Sequence, residues 1–191
     1  MAPQLYLITP ADADPETFPA TLMAVLNATE FSALLVRRGN LDADAYAKFA
    51  ARLVNIGQGA GCAVLLEDDV ALVKKIGADG VHISTGTEDL IDAIQALKPS
   101  MIVGAGNLQS RDDAMVAGEM DVDYVLFDDG ELAQWWAETF EVPCVLSLPK
   151  AAPGASDPRG AEFLALSDSL WSAASPAEAM RAIAADLGAD A

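Results

Sequence analysis

The residues best suited to chemistry in this 191-residue chain stand just after short apolar runs. Glu67, Asp68 and Asp69 follow the run Ala63–Leu66, and Asp128 and Asp129 follow Tyr124–Phe127. Glu88 and Asp89 come shortly after Gly80–Ile83. Arg37 and Arg38 follow Ala33–Val36, while Lys150 and Arg159 come after Cys144–Leu148. Carboxylates on one rim suit a hard cation, and magnesium takes oxygen ligands that it commonly shares with a substrate phosphate. Asp68 and Asp89 are the candidate ligands. Acids also favour helix N-termini, so Glu67-Asp68-Asp69 reads equally as a helix start. Arginine suits bidentate recognition of phosphate or carboxylate, and it suits an internal ion pair with a neighbouring loop just as well. Adjacent strand residues face opposite ways, so one of Arg37 and Arg38 points inward and the other toward the flanking helices.

The elements that must position these groups recur with a beat. Apolar, β-branched runs occur at Gln4–Ile8, Ala33–Val36, Ala63–Leu66, Gly80–Ile83, Met101–Gly104, Tyr124–Phe127, Cys144–Leu148 and Phe163–Ser167. Most gaps between them carry apolar residues three and four apart, the signature of helices. Asp42–Gln58 is such a gap. Glu88–Leu97 is another, stopped by Lys98-Pro99. Ser110 and Ser175 stand at N-cap positions, with Pro176 at the first helical position and Gly188 past the end. Eight strands alternating with seven or eight helices predict a compact (β/α)8 TIM barrel. Residues 149–162, rich in Pro, Gly and Ala, show no helical period, so the seventh βα unit is predicted to be irregular. An open doubly wound sheet is the runner-up. The segment after the first strand, ITPADAD, has no Gly-rich dinucleotide turn. In a barrel the active site lies at the C-terminal strand ends, which puts all the groups above on one face.

Composition narrows the partners. Eleven basic and 29 acidic residues give a net charge of −18 and a pI near 4.1. That charge repels nucleic acid and anionic membranes. Hydrophobic residues make up 52% of the chain, which excludes global disorder. The apolar runs fall far short of the roughly 20 residues of a membrane span, and the N-terminus lacks the pattern of a signal peptide. Two cysteines, Cys62 and Cys144, each opening an apolar run, read as buried free thiols in a cytoplasmic protein. The single histidine, His82, excludes His-pair zinc motifs. One domain over residues 1–191 is expected.

Residues 76–90 read IGADGVHISTGTEDL. This segment resembles the family of thiamine phosphate synthase and its TenI-like relatives, whose barrels carry a GADGVH strand followed by a Glu-Asp turn. LLVRRG (34–39), VLLED (64–68), MIVGAG (101–106) and DYV (123–125) fall in order where that family has its second, third, fifth and sixth strands. The resemblance implies a barrel that joins a pyrimidine alcohol diphosphate to a thiazole phosphate, releasing pyrophosphate. It implies Asp68 and Asp89 as magnesium ligands and Arg37 as the catalytic phosphate-binding arginine. A Ser is plausible at the eighth strand in such a barrel, which makes Ser167 a further candidate for phosphate binding.

Several positions depart from the family pattern. Leu35 stands for a Gln, Gly39 for a Lys, Glu67 for an Asn and Gly106 for a Ser. After the sixth strand the sequence is FDDGELAQWW instead of a Gly-Pro-x-Phe stretch. After the seventh it is LSLPKAAPG instead of a Gly-Gly turn, and Pro149 removes an amide donor. Each lost contact to a developing phosphate costs roughly 2–4 kcal/mol. A working enzyme therefore needs Arg38, Lys150 or Arg159 as substitutes. The alternative is a non-catalytic barrel of the same family, binding a small molecule or a partner protein. A third option is a different barrel activity that uses the acid-rich rim. His82 reads as structural in the GVH strand, with acid–base duty as the rival. Of Trp135 and Trp136, one is expected in the core and the other at a subunit interface or under a loop, so a homo-oligomer is an open expectation.

Overall fold

The computed structural model describes residues 2–188. Eight parallel strands close into a barrel in sequence order. They are β1 (Gln4–Ile8), β2 (Ala33–Val36), β3 (Ala63–Glu67), β4 (Gly80–Ile83), β5 (Ile102–Ala105), β6 (Tyr124–Phe127), β7 (Cys144–Leu148) and β8 (Phe163–Leu166). Five of the eight have the predicted limits, and the others differ by one residue. Each strand is buried on both faces, because lumen and helix layer each cover one side.

The helices are α1 (Phe18–Leu26), α2 (Ala43–Gly59), α3 (Val70–Ile76), α4 (Thr87–Leu97), α5 (Arg111–Gly118), α6 (Gly130–Thr139), α7 (Asp168–Trp171) and α8 (Pro176–Leu187). Their starts obey capping chemistry. Asp42, Asp69, Ser110, Asp129 and Ser175 each accept a first-turn amide N–H. No helix joins β7 to β8, as the composition of residues 149–162 predicts. The one-turn α7 carries no periodicity and was not anticipated. Its Trp171 donates from Nε1 to the Ile8 carbonyl at 2.7 Å, tying the end of β8 to the end of β1. Among the described residues, no helix is long and apolar enough to cross a membrane.

Two apolar layers result from strand alternation. One lies between strands and helices and includes Leu34, Leu53, Val81, Phe127 and Trp136. The other fills the lumen with Tyr6, Ile8, Leu35, Leu65, Tyr124, Leu126 and Val145. Cys62 and Cys144 are buried free thiols, and burial pushes them up to about 11 and about 12. Trp136 is in the core, and its indole N–H donates to the Val142 carbonyl at 2.9 Å. Trp135 is half-buried, with the Arg111 guanidinium 4.7 Å from its ring centre.

Candidate active site at the barrel mouth

The two arginines after β2 separate as alternation demands. Arg37 continues the inward register of Leu35, and its Nη1 lies 3.9 Å from Asp168 Oδ1 beyond β8. Its backbone N–H donates to Thr9 Oγ1 at 2.9 Å, which fixes the end of β2 against β1. Arg38 turns to the helix layer, with its guanidinium 6.0 Å from the Tyr46 ring centre. The Arg38 N–H donates to Glu67 Oε2 at 3.0 Å.

The acidic turn after β3 divides its labour. Asp69 caps α3 through the Leu72 N–H, so the helix-start reading holds for that residue. Asp68 has φ of +52°, an uncommon conformation for a non-glycine residue. Its N–H donates to the His82 carbonyl at 2.9 Å. Its carboxylate accepts from Ser84 N at 2.7 Å and from Ser84 Oγ at 2.6 Å. Asp89 is exposed in the first turn of α4, two residues beyond Thr87, where its charge also favours the helix dipole. The Ser84–Gly86 turn thus connects the two candidate ligands. Among the described residues, no group of three or more His, Cys, Asp or Glu is gathered for a metal. The Asp68 oxygens accept one hydrogen bond each from Ser84 and so keep a lone pair apiece, the donor chemistry a hard cation takes.

His82 lies just below this rim and is 4% exposed. Its Nδ1 is 2.8 Å from the Tyr124 hydroxyl, which is 2.8 Å from the Tyr6 hydroxyl. Burial pushes the imidazole down to about 4; Asp68 and Asp128 oppose that shift, and Arg37 adds to it. His82 is therefore neutral at pH 7. Burial likewise raises both tyrosines. Gly104 in β5 and Gly106 just after it make room for this chain. A Cβ on Gly104 would fall 2.0 Å from Tyr124 Cζ, and one on Gly106 would fall 2.3 Å from His82 Nε2. The space beside His82 thus leaves Gly106 no room for a side chain.

The later strand ends are different. Asp128 is exposed at the end of β6, and Asp129 caps α6 through Glu131 N and Leu132 N. Lys150 is exposed in the turn after β7 and has no hydrogen bond or ion pair among the described residues. Arg159 pairs with Asp157 at 3.4 Å. Ser167 ends β8 at 1% exposure, and its Oγ has no hydrogen-bond partner among the described residues. Alternation from Phe163 and Ala165 puts it on the inward register. The structure therefore brings Arg37 and Asp168 together at the mouth and places Ser167 next to Asp168 in the chain. It directs Arg38 away from the mouth. Sequence reading did not anticipate the His82–Tyr124–Tyr6 chain. Inward alternation along β1, β4 and β6 was the signal that could have found it.

The fold and this rim define a (β/α)8 barrel with an ionic mouth at its C-terminal strand ends. The profile of the thiamine monophosphate synthase family matches residues 5–130. Thiamine-phosphate synthase of Rhodospirillum centenum is 33% identical over 93% of this chain and 94% of its own length. That of Hyphomonas neptunium is 34% identical over 94% of this chain and 91% of its own. The thiamine phosphate pyrophosphorylase structure from Pyrococcus furiosus superposes with a TM-score of 0.82 at 17% identity, covering 97% and 96% of the two chains. The chain belongs to the thiamine-phosphate synthase family.

Proposed function

We propose that this barrel catalyses the family's transfer, joining a pyrimidine alcohol diphosphate to a thiazole phosphate and releasing pyrophosphate. In that reaction the bond from the pyrimidine methylene carbon to the diphosphate oxygen breaks. The thiazole nitrogen then supplies the electron pair for the new C–N bond. The protein's task is to stabilise charge on the departing diphosphate. The observation that carries this reading is the inward Arg37 guanidinium, which Asp168 holds only at 3.9 Å and which can turn to an anion. Ser167, buried and with no hydrogen-bond partner for its hydroxyl among the described residues, would donate to a phosphate oxygen. Lys150, with no hydrogen bond or ion pair among the described residues, would add positive charge from the turn after β7. Arg38 joins them only by leaving Tyr46. Asp68 and Asp89 would hold magnesium, which when bound offsets diphosphate charge. The proposal includes a cytoplasmic setting, in keeping with the two free thiols.

A second reading, a non-catalytic barrel that binds a different small ligand, is favoured by a specific observation. Glu67, Asp128 and Asp168 stand at the rim, and Arg37 already faces one of them. Pro149 stands where an amide donor is needed, and its carbonyl accepts from Ser169 N at 2.8 Å.

One assay separates the two. Purified protein is given both substrates with magnesium, beside a relative that keeps the Gln-x-Arg-x-Lys motif. Turnover that falls roughly a hundredfold or more in Arg37→Ala and Asp68→Ala supports the transferase. No product beside an active control overturns it and leaves the second reading.

A further inference from the structure

At the end of the barrel opposite the mouth lies a cavity of about 260 Å³. Its wall is Tyr6, Leu65, Tyr124 and Val145, and Ala33, Ala63, Ile102 and Phe163 surround its entrance. The void has a simple origin. Bulky branched residues usually fill the inward layers of a barrel, but here β2 and β3 each begin with an alanine. A side chain of one carbon leaves the first layer underfilled. The volume exceeds the 150 Å³ or so of an apolar cavity that holds benzene.

The polar groups at this end define what would enter. The Asp123 carboxylate accepts from Lys98 Nζ at 2.7 Å and from Val103 N at 2.8 Å, so its charge is compensated. Ser32 Oγ donates to Gln4 Oε1 at 2.6 Å, which leaves the Gln4 amide N–H groups for another acceptor. The Tyr6 and Tyr124 hydroxyls bond each other at 2.8 Å, and Tyr124 also bonds His82, so the two residues line the cavity with buried rings. Their rings stand edge to face, with centres 5.8 Å apart. A charged guest would find no counter-ion here, and an anion would meet a chain of net charge −18. A neutral ring with one hydroxyl, which can accept from the Gln4 amide, matches the apolar wall and its polar edge.

We propose that the N-terminal end of the barrel is a second small-molecule site, selective for a neutral aromatic ring about the size of phenol or indole. The site is independent of the transferase reading, because it shares no residue with the mouth. It is physically joined to the mouth, since Tyr124 bonds both Tyr6 in the cavity wall and His82 beneath the rim. A guest packed against the Tyr6 and Tyr124 rings therefore shifts the surroundings of the His82 ring through the Tyr124 hydroxyl.

His82, the single histidine, makes the test clean. Phenol is titrated into the full-length protein while the His82 ring signals and the methyl signals of Leu65 and Val145 are followed by NMR. The expected result is a saturable shift of all three, with phenol-to-methyl cross-relaxation at Leu65 and Val145. Ala33→Leu and Ala63→Leu fill the void and should each weaken binding by about tenfold or more. Their unfolding midpoints report whether they fold. No saturable shift up to the solubility of phenol overturns the site. Binding that is unchanged in a folded filled variant overturns it too. If neither variant folds, wild-type cross-relaxation decides: contacts to Leu65 and Val145 support the site, and contacts elsewhere overturn it.

Discussion

The rim after β3–β5 and the rim after β6–β8 are built on different terms. After β3–β5, backbone and side chains interlock. Asp68 takes two hydrogen bonds from Ser84, its N–H binds the His82 carbonyl, and Gly104 and Gly106 leave no space beside Tyr124 and His82. After β6–β8 the charged groups are looser. Lys150 has no hydrogen bond or ion pair among the described residues, Arg159 pairs locally with Asp157, and residues 149–162 replace a helix with turns. The family profile ends at residue 130, close to where this change begins. A barrel tolerates such a change because strand pairing holds the scaffold while the loops beyond the strands vary.

The comparison can be broken at its tightest point. Gly104→Ala places a methyl on Tyr124 and should cost about 3 kcal/mol in urea unfolding. Gly130→Ala at the start of α6, with 3.7 Å to its nearest neighbour, should stay within about 0.5 kcal/mol. Equal losses at the two positions would erase the distinction.

Caps sharpen it further. Asp68→Ala strands the Ser84 N–H and hydroxyl and should cost about 2 kcal/mol. Asp129→Ala removes an ordinary N-cap and should cost about 1 kcal/mol. Thermal and urea unfolding of the two variants side by side check the order.

The next effect is one of pH. His82 is held at about 4 in the folded chain against an ordinary value of 6.5. Between those values the unfolded chain binds the proton and the folded one resists it, so stability rises with pH. The contribution is complete above pH 6.5 and is lost as pH falls toward 4. His82→Gln should flatten this part of the stability profile relative to wild type, and parallel slopes would refute the assignment. The smallest effect belongs to the later rim. Arg159→Ala breaks a pair whose side chains are 45% and 74% exposed, and it should change stability by less than about 0.5 kcal/mol.

The sequence marked most of what depends on neighbours along the chain. Alternation and apolar runs placed the strands, Ser110 and Ser175 marked helix starts, and the Pro- and Gly-rich residues 149–162 marked the missing helix. The candidate site was legible as residue types at strand ends. Ser167 was visible there, but not the pairing of Asp168 with Arg37, which joins residues 131 positions apart across the closed barrel. The pattern could state that Arg37 and Arg38 part ways. It could not state which turns inward, because that depends on the register of Leu35 in the lumen.

By itself, then, the sequence determined the strand order, the helix starts at Ser110 and Ser175, the family and the face on which chemistry would stand, since each is written in local spacing and residue type. Tertiary structure alone decided that Arg38 lies over Tyr46 and that Asp68 is bound to Ser84. It also decided that His82 is buried and bonded to Tyr124, and that two alanines leave a cavity at the far end of the barrel. Each of those follows from closure, which brings distant strands to within hydrogen-bond distance and buries what they enclose.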